Sequence, residues 1–197
     1  NWDIWPHYIY ENGIEVRNTT AYFIIRNCYV HSGASCTRGI CFEGVINGIV
    51  ENNILNNNDY GIYLSGSNNN LISGNTFVNN GLFVWDSYQN IVENNTVNGR
   101  PLVYLEEKSD HVVADAGQII LVRCENITVK SLNLSNATIG VELWEIDNSM
   151  VINNIVENNR WRGIILGGYS SNNLISGNIV KNNGGGIWLE DSDNNLI

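Results

Sequence analysis

The sequence predicts an all-β fold, a parallel solenoid of about nine stacked coils with a repeat of roughly 22 residues. Three observations predict it. The run NNLISGN stands at residues 69–75 and again at 172–178. Aliphatic residues recur at fixed places around each copy. Asparagine, about one residue in six where ordinary chains use far less, recurs at a further fixed place.

Taken in order, the coils start at Gly13, Gly39, Gly61, Gly81, Pro101, Gln118, Gly140, Gly163 and Gly186. The second place of each holds Ile14, Ile40, Ile62, Leu82, Leu102, Ile119, Val141, Ile164 and Ile187. The fourth holds Val16, Phe42, Leu64, Val84, Tyr104, Leu121, Leu143, Leu166 and Leu189. Alternation with period two makes each start a strand with these side chains on one face. The twelfth place, allowing one inserted residue in the eighth coil, is aliphatic throughout, as Ile24, Val50, Ile72, Val92, Val112, Val129, Val151, Ile175 and Ile197. Short strands stacked coil on coil at about 4.8 Å would bury these columns as one core.

The fifteenth place carries Asn27, Asn53, Asn75, Asn95, Asn154 and Asn178, interrupted by Asp115 and Leu132. Asparagine tolerates left-handed backbone and can pass side-chain amide hydrogen bonds up a stack, so this column is expected to form an internal asparagine ladder. Doublets such as Asn79-Asn80 and Asn182-Asn183 read instead as solvated loop residues.

The resulting pattern, GIxLxxSxNNxIxxNxxxNN, covers essentially all 197 residues. It resembles the right-handed parallel β-helix repeats of the NosD-like, carbohydrate-binding and sugar-hydrolase (CASH) group. The stretch PLVYLEEKSDHVVADAGQIILVRCENITVKSLNLSN, residues 101–136, is similar to segments of archaeal cell-surface members. The resemblance implies a right-handed single-stranded parallel β-helix at an extracellular or cell-surface address. It leaves activity open, because one solenoid hosts many functions.

Side chains alternating with the core columns should point outward. Among them Tyr63, Phe83 and Trp85 form one expected cluster, and Trp144 and Trp188 a second. An exposed apolar face of this kind marks a ligand or a covering partner. Flat rings with carboxylates nearby suit stacking on sugars, so these five are the candidate carbohydrate-binding residues. A loop, a neighbouring domain or a second copy covering the face is the competing reading.

For an enzyme, paired carboxylates are needed at one place in adjacent coils. The sixth place offers Asp86, Glu106, Arg123 and Glu145, with carboxylates about 5 Å apart, near the separation of retaining glycoside hydrolysis. Pectin-cleaving β-helices resemble this fold but carry clustered acidic residues with Arg or His motifs that this sequence lacks. The expectation is therefore a structural and recognition module without catalysis. A glycan-binding module is the first alternative, and a polysaccharide lyase or glycoside hydrolase the second.

Lys plus Arg number 10 against 20 Asp plus Glu, a net charge of −10, which argues against nucleic acid. No apolar run is long enough to span a bilayer as a helix. NosD itself is associated with copper delivery to nitrous oxide reductase. Copper favours Met, Cys and His, whereas this chain has one Met and a scattered His7, His31 and His111, so copper is not expected. The expected cofactor is none, with surface calcium as the open case in so acidic a chain. Sequons at Asn18, Asn94, Asn126, Asn133 and Asn136 permit N-glycosylation of an exported protein. Among the cysteines, Cys28, Cys36, Cys41 and Cys124, one local bridge is open, Cys28–Cys36 or Cys36–Cys41.

One domain is expected over residues 1–197, with 1–12 as an N-terminal cap. The ninth coil is cut off at Ile197, which suggests a piece of a longer protein that joins further domains or stacks its open ends on other copies.

Overall fold

A computed structural model describes residues 2–5, 11–32 and 37–197. His7, Cys36 and the middle of the proposed cap lie outside the described residues. The chain divides into two compact units, Asn1–Gly99 and Arg100–Ile197.

In the first unit β1 (Trp2–Ile4) is followed by coils of three strands each. These are β2 (Asn12–Thr19), β3 (Phe23–Arg26) and β4 (Cys28–His31), then β5 (Arg38–Val45), β6 (Gly48–Glu51) and β7 (Ile54–Asn56). Next come β8 (Tyr60–Ser65), β9 (Leu71–Ser73) and β10 (Thr76–Val78), then β11 (Leu82–Trp85), β12 (Ile91–Glu93) and β13 (Thr96–Val97). Each strand pairs in parallel with its equivalent one coil on, which makes the sheets β2-β5-β8-β11, β3-β6-β9-β12 and β1-β4-β7-β10-β13. The described part of the expected cap is thus a strand, with Trp2 opposite Cys28.

The second unit repeats the plan with less regular coils. Its strands are β14 (Arg100–Glu106), β15 (Ser109–Val113), β16 (Gln118–Val122), β17 (Glu125–Lys130), β18 (Ile139–Trp144), β19 (Met150–Ile152) and β20 (Ile155–Glu157). β21 (Arg162–Gly167), β22 (Leu174–Ser176), β23 (Ile179–Lys181) and β24 (Ile187–Leu189) complete it. The sheets β14-β16-β18-β21-β24 and β15-β17-β19-β22 run in parallel order, and β20 pairs with β23.

Both interiors are aliphatic, as the columns require. In the first unit Ile40, Phe42, Val50, Ile62, Leu64, Ile72 and Leu82 are fully buried. In the second, Ile119, Leu121, Val129, Val141, Leu143, Val151, Ile164 and Leu166 form one cluster. Glycine opens several coils because strands approach closely there: a Cβ on Gly39 would lie 2.6 Å from the Gly61 carbonyl oxygen.

Two coils differ from the expected register by one residue. In the coil starting at Gly13, Ile25 rather than Ile24 lies opposite Val50, and Ile24 is exposed. In the coil starting at Pro101, Val103 and Leu105 lie opposite Ile119 and Leu121, which turns Leu102 and Tyr104 to the other face. Val113 likewise replaces Val112, which is exposed. These coils are the longest and the shortest, so a fixed offset from the start misses their inserted or deleted residues.

The expected ladder is present, and its geometry explains the doublets. Asn75 Oδ1 accepts from the Asn53 backbone N–H and side-chain amide, both at 3.0 Å. Asn75 Nδ2 donates to the Val50 carbonyl at 2.9 Å and to Asn95 Oδ1 at 3.0 Å. In the second unit Asn154 and Asn178 repeat the link, with the Leu132 N–H at the foot. Asn27 is not in this column: the Cys28 N–H donates to Asn53 Oδ1, and Asn27 takes the left-handed place before it, at φ 56°.

Further ladders run through Asn70 and Asn90, Asn159 and Asn183, and Asn173 and Asn195. Each ladder residue follows one at positive φ, as Asn52, Asn69, Gly74, Asn158, Asn172 and Gly177 show. A doublet is therefore a complete corner, in which the first residue makes the left-handed turn and the second fills the interior. The doublets Asn79-Asn80 and Asn182-Asn183 are not solvated loops: Asn80 is fully buried and Asn183 accepts from Asn159.

Removing one rung strands several buried groups, each costing about 1–3 kcal/mol. Asn75→Ala is expected to lose roughly 3 kcal/mol or more in urea unfolding, whereas the exposed neighbour Thr76→Ala stays within about 0.5 kcal/mol.

Candidate functional site

The side of the first-strand sheets that faces away from the core holds the residues with chemistry. In the first unit Glu15, Cys41, Tyr63 and Phe83 form one row, and Arg17, Glu43, Ser65 and Trp85 the next. Tyr63 and Phe83 rings lie 5.2 Å apart, and Phe83 and Trp85 are 6.5 Å apart. The three expected residues are thus brought together, but not as an open patch. Phe83 and Cys41 are buried, and Tyr63 and Trp85 are half-buried.

Tyr60 and Arg38, absent from the alternation columns, contribute to this closure. The Tyr60 ring packs edge-on to Tyr63 at 5.4 Å and against Phe83 at 5.6 Å. Arg38 places its guanidinium 3.8 Å from the Tyr63 ring centroid. It donates to Glu43 Oε1 at 3.0 Å and to Cys41 Sγ at 3.4 Å. Arg17 pairs with Glu15 and Glu43 on the same face. Both residues stand just before the glycine that starts their coil, which is the signal that a count beginning at that glycine discards.

In the second unit the row reads Tyr104, Ile120, Glu142, Ile165 and Trp188. Beside it lie Glu106, Val122, Trp144 and Gly167. Ile120, Val122 and Ile165 are buried on a side expected to face water, as is Glu142, which accepts from Gln118 Nε2 at 3.2 Å and from Trp144 Nε1 at 3.5 Å. Trp144 is itself buried, its ring lying over Gly167 where a Cβ would collide. Trp188 meets Trp161, at 5.7 Å and 65°.

The expected catalytic four fall in both units, three at corners and Glu106 on β14. Asp86 belongs to the first unit, at a corner with φ 47°. Arg123 and Glu145 are corner residues of the second unit, at φ 50° and 55°, joined by an ion pair of 3.0 Å. Glu107, not Glu106, holds the equivalent corner place, because Glu106 lies opposite Val122 and accepts from the Tyr104 hydroxyl at 2.7 Å. Burial, then this hydrogen bond, push the Tyr104 phenol well above its usual range. A cleft of about 430 Å³ adjoins the ion pair, lined also by Glu125, Asp147 and Tyr169.

The sequon residues Asn18, Asn94, Asn126, Asn133 and Asn136 are all exposed, and all but Asn133 have positive φ. Cys28, Cys41 and Cys124 are buried thiols, and both expected bridges involve Cys36, which lies outside the described residues. Glu15, Cys41 and Glu43 bring their ligand atoms within 4.8 Å of one another.

Burial pushes the Cys41 thiol up to about 11, against the opposing pull of Arg38. With the folded value above the unfolded one, the thiol favours the folded state below the unfolded value, and that contribution is lost as pH rises towards 11. The fall in Tm between pH 9 and 11 is accordingly expected to be shallower in Cys41→Ala than in the unchanged protein. Parallel curves would refute this placement.

Residues 7–115 match the family model described as "Right handed beta helix region". Residues 100–197 match the one described as "Periplasmic copper-binding protein (NosD)". No curated protein matches the chain.

Proposed function

Because the chain belongs to the right-handed β-helix family, we propose that it is the rigid scaffold of an exported recognition module, and that its ligand is a glycan held on aromatic rings. The observation that carries this reading is the aromatic group Tyr60, Tyr63, Phe83 and Trp85, seated on the side of a parallel sheet that points away from the core. Buried Phe83 supports the half-exposed rings of Tyr60 and Trp85, whose faces can stack on the C–H faces of sugars beside a Tyr63 ring backed by the Arg38 guanidinium, while Ser65 offers a partner for hydroxyls. Stacked coils hold the rings without loop entropy to lose on binding.

Export is supported by the word periplasmic in the description matched by residues 100–197 and by the exposed sequons. Among the described residues no helix is long and apolar enough to cross a membrane.

The copper in that description does not fit the residues present. Soft donors do not converge among the described residues: Cys28 bonds the Arg26 carbonyl, Cys124 bonds those of Leu105 and Val122, and His31 pairs with Asp3. The group Glu15, Cys41 and Glu43 has a single soft atom, and the guanidiniums of Arg17 and Arg38 already hold its carboxylates. Catalysis is less well supported than binding, since Glu145 is neutralised by Arg123 and Glu106 is engaged by Tyr104.

A glycan array tests the reading. The unchanged protein is expected to retain at least one glycan class, and Tyr63→Ala and Trp85→Ala each to weaken retention roughly tenfold while circular dichroism stays unchanged. No retained glycan, or retention unaffected in the double variant, would overturn it.

A further inference from the structure

We propose that the corner formed by Trp161, Arg162 and Trp188 in the second unit binds a sugar residue bearing a carboxylate, a uronate within an otherwise uncharged glycan. This rests on the glycan reading above and names the ligand class at one site. The two indole rings meet at 65° with centroids 5.7 Å apart, making an L-shaped recess. The Arg162 guanidinium lies 5.3 Å from the Trp161 ring and 5.9 Å from the Trp188 ring. All three side chains are half-buried.

Arg162 differs from the other arginines of strands β2, β3 and β5 and of the β16 corner. Arg17, Arg26, Arg38 and Arg123 each pair with a carboxylate. Arg162 has no carboxylate partner among the described residues; its contacts are the two indoles. In a chain of net charge −10, which supplies carboxylates in excess, a guanidinium held between rings and away from them is a site with its anion still to come. Its planar fork can take one carboxylate through two parallel N–H···O bonds, while an indole face covers the C–H side of the same sugar ring.

The neighbouring glycines fit this role. The run Gly184, Gly185 and Gly186 precedes β24, and the Gly163 N–H donates to the carbonyls of Gly185 and Gly186. A Cβ on Gly185 would collide with Arg162 Nη1 and lie 2.8 Å from its Cδ, so the glycine leaves the space the guanidinium occupies. A Cβ on Gly186 would meet nothing within 4 Å, so the surface beside the recess is open. The overall negative charge disfavours a continuous polyanion.

The test titrates methyl β-D-glucuronide and methyl β-D-glucoside against the unchanged chain and against Arg162→Gln, Gly185→Ala and Gly186→Ala, read by ligand-observed NMR. Circular dichroism melts check that each variant is folded. The expected result is at least tenfold preference for the glucuronide, lost in Arg162→Gln and Gly185→Ala and kept in Gly186→Ala. Equal binding of both sugars, unchanged by Arg162→Gln, overturns the uronate site while leaving the glycan reading standing. Absence of binding by either sugar overturns this site, and the array result above then decides the glycan reading by itself.

Discussion

Each coil has to turn its chain sharply at every corner without leaving a backbone N–H or carbonyl unpaired in the interior. That constraint governs the rest of the structure. Strand groups between corners are satisfied by the neighbouring coils, but corner groups point inward where no strand follows. The asparagine side chain answers both needs at once, with an oxygen for the N–H of the coil before and an amide for a carbonyl left by the turn, as Asn75 does for Asn53 and Val50. A buried amide unpaired at such a place would cost about as much as a lost core methylene or more.

Meeting the constraint from inside leaves the outer side of the first-strand sheets free to carry other residues. In the first unit that side holds charged pairs at one end and aromatic rings towards the other, from Glu15 and Arg17 to Phe83 and Trp85. In the second it holds a buried carboxyl, Glu142, and a tryptophan corner. Arg38 and Tyr60, which stand immediately before their coil starts, fold over the first-unit row and make it a shaped recess rather than a flat patch. Recognition by stacking is the chemistry such rigid, partly covered rings serve best.

The interior was legible in the sequence because both of its signals are periodic. Aliphatic alternation gave the strand faces at Ile62 and Leu64, and the repeated NNLISGN marked two corners in seven residues, with Asn70 and Asn75 as rungs and Asn69 and Gly74 as turns. Register failed where coil length departs from the repeat, at Ile24 and at Leu102 and Tyr104, since periodicity alone does not locate an insertion. The outer face was only half legible. Tyr63, Phe83 and Trp85 were placed together by spacing, but Tyr60, Arg38, Trp161 and Arg162 stand just before the glycine that starts their coil, outside the columns counted from it.

Native-state hydrogen exchange tests the governing role of the corner asparagines most directly. The backbone amides of Asn53, Asn75, Asn154 and Asn159, each bonded to a side-chain oxygen of the next coil, are expected to exchange only through global unfolding of their unit, as slowly as the core strands. Exchange of these amides at the rate of exposed turn residues such as Ala21 and Tyr22 would contradict the account, because the corners would then open locally while the strands stayed folded.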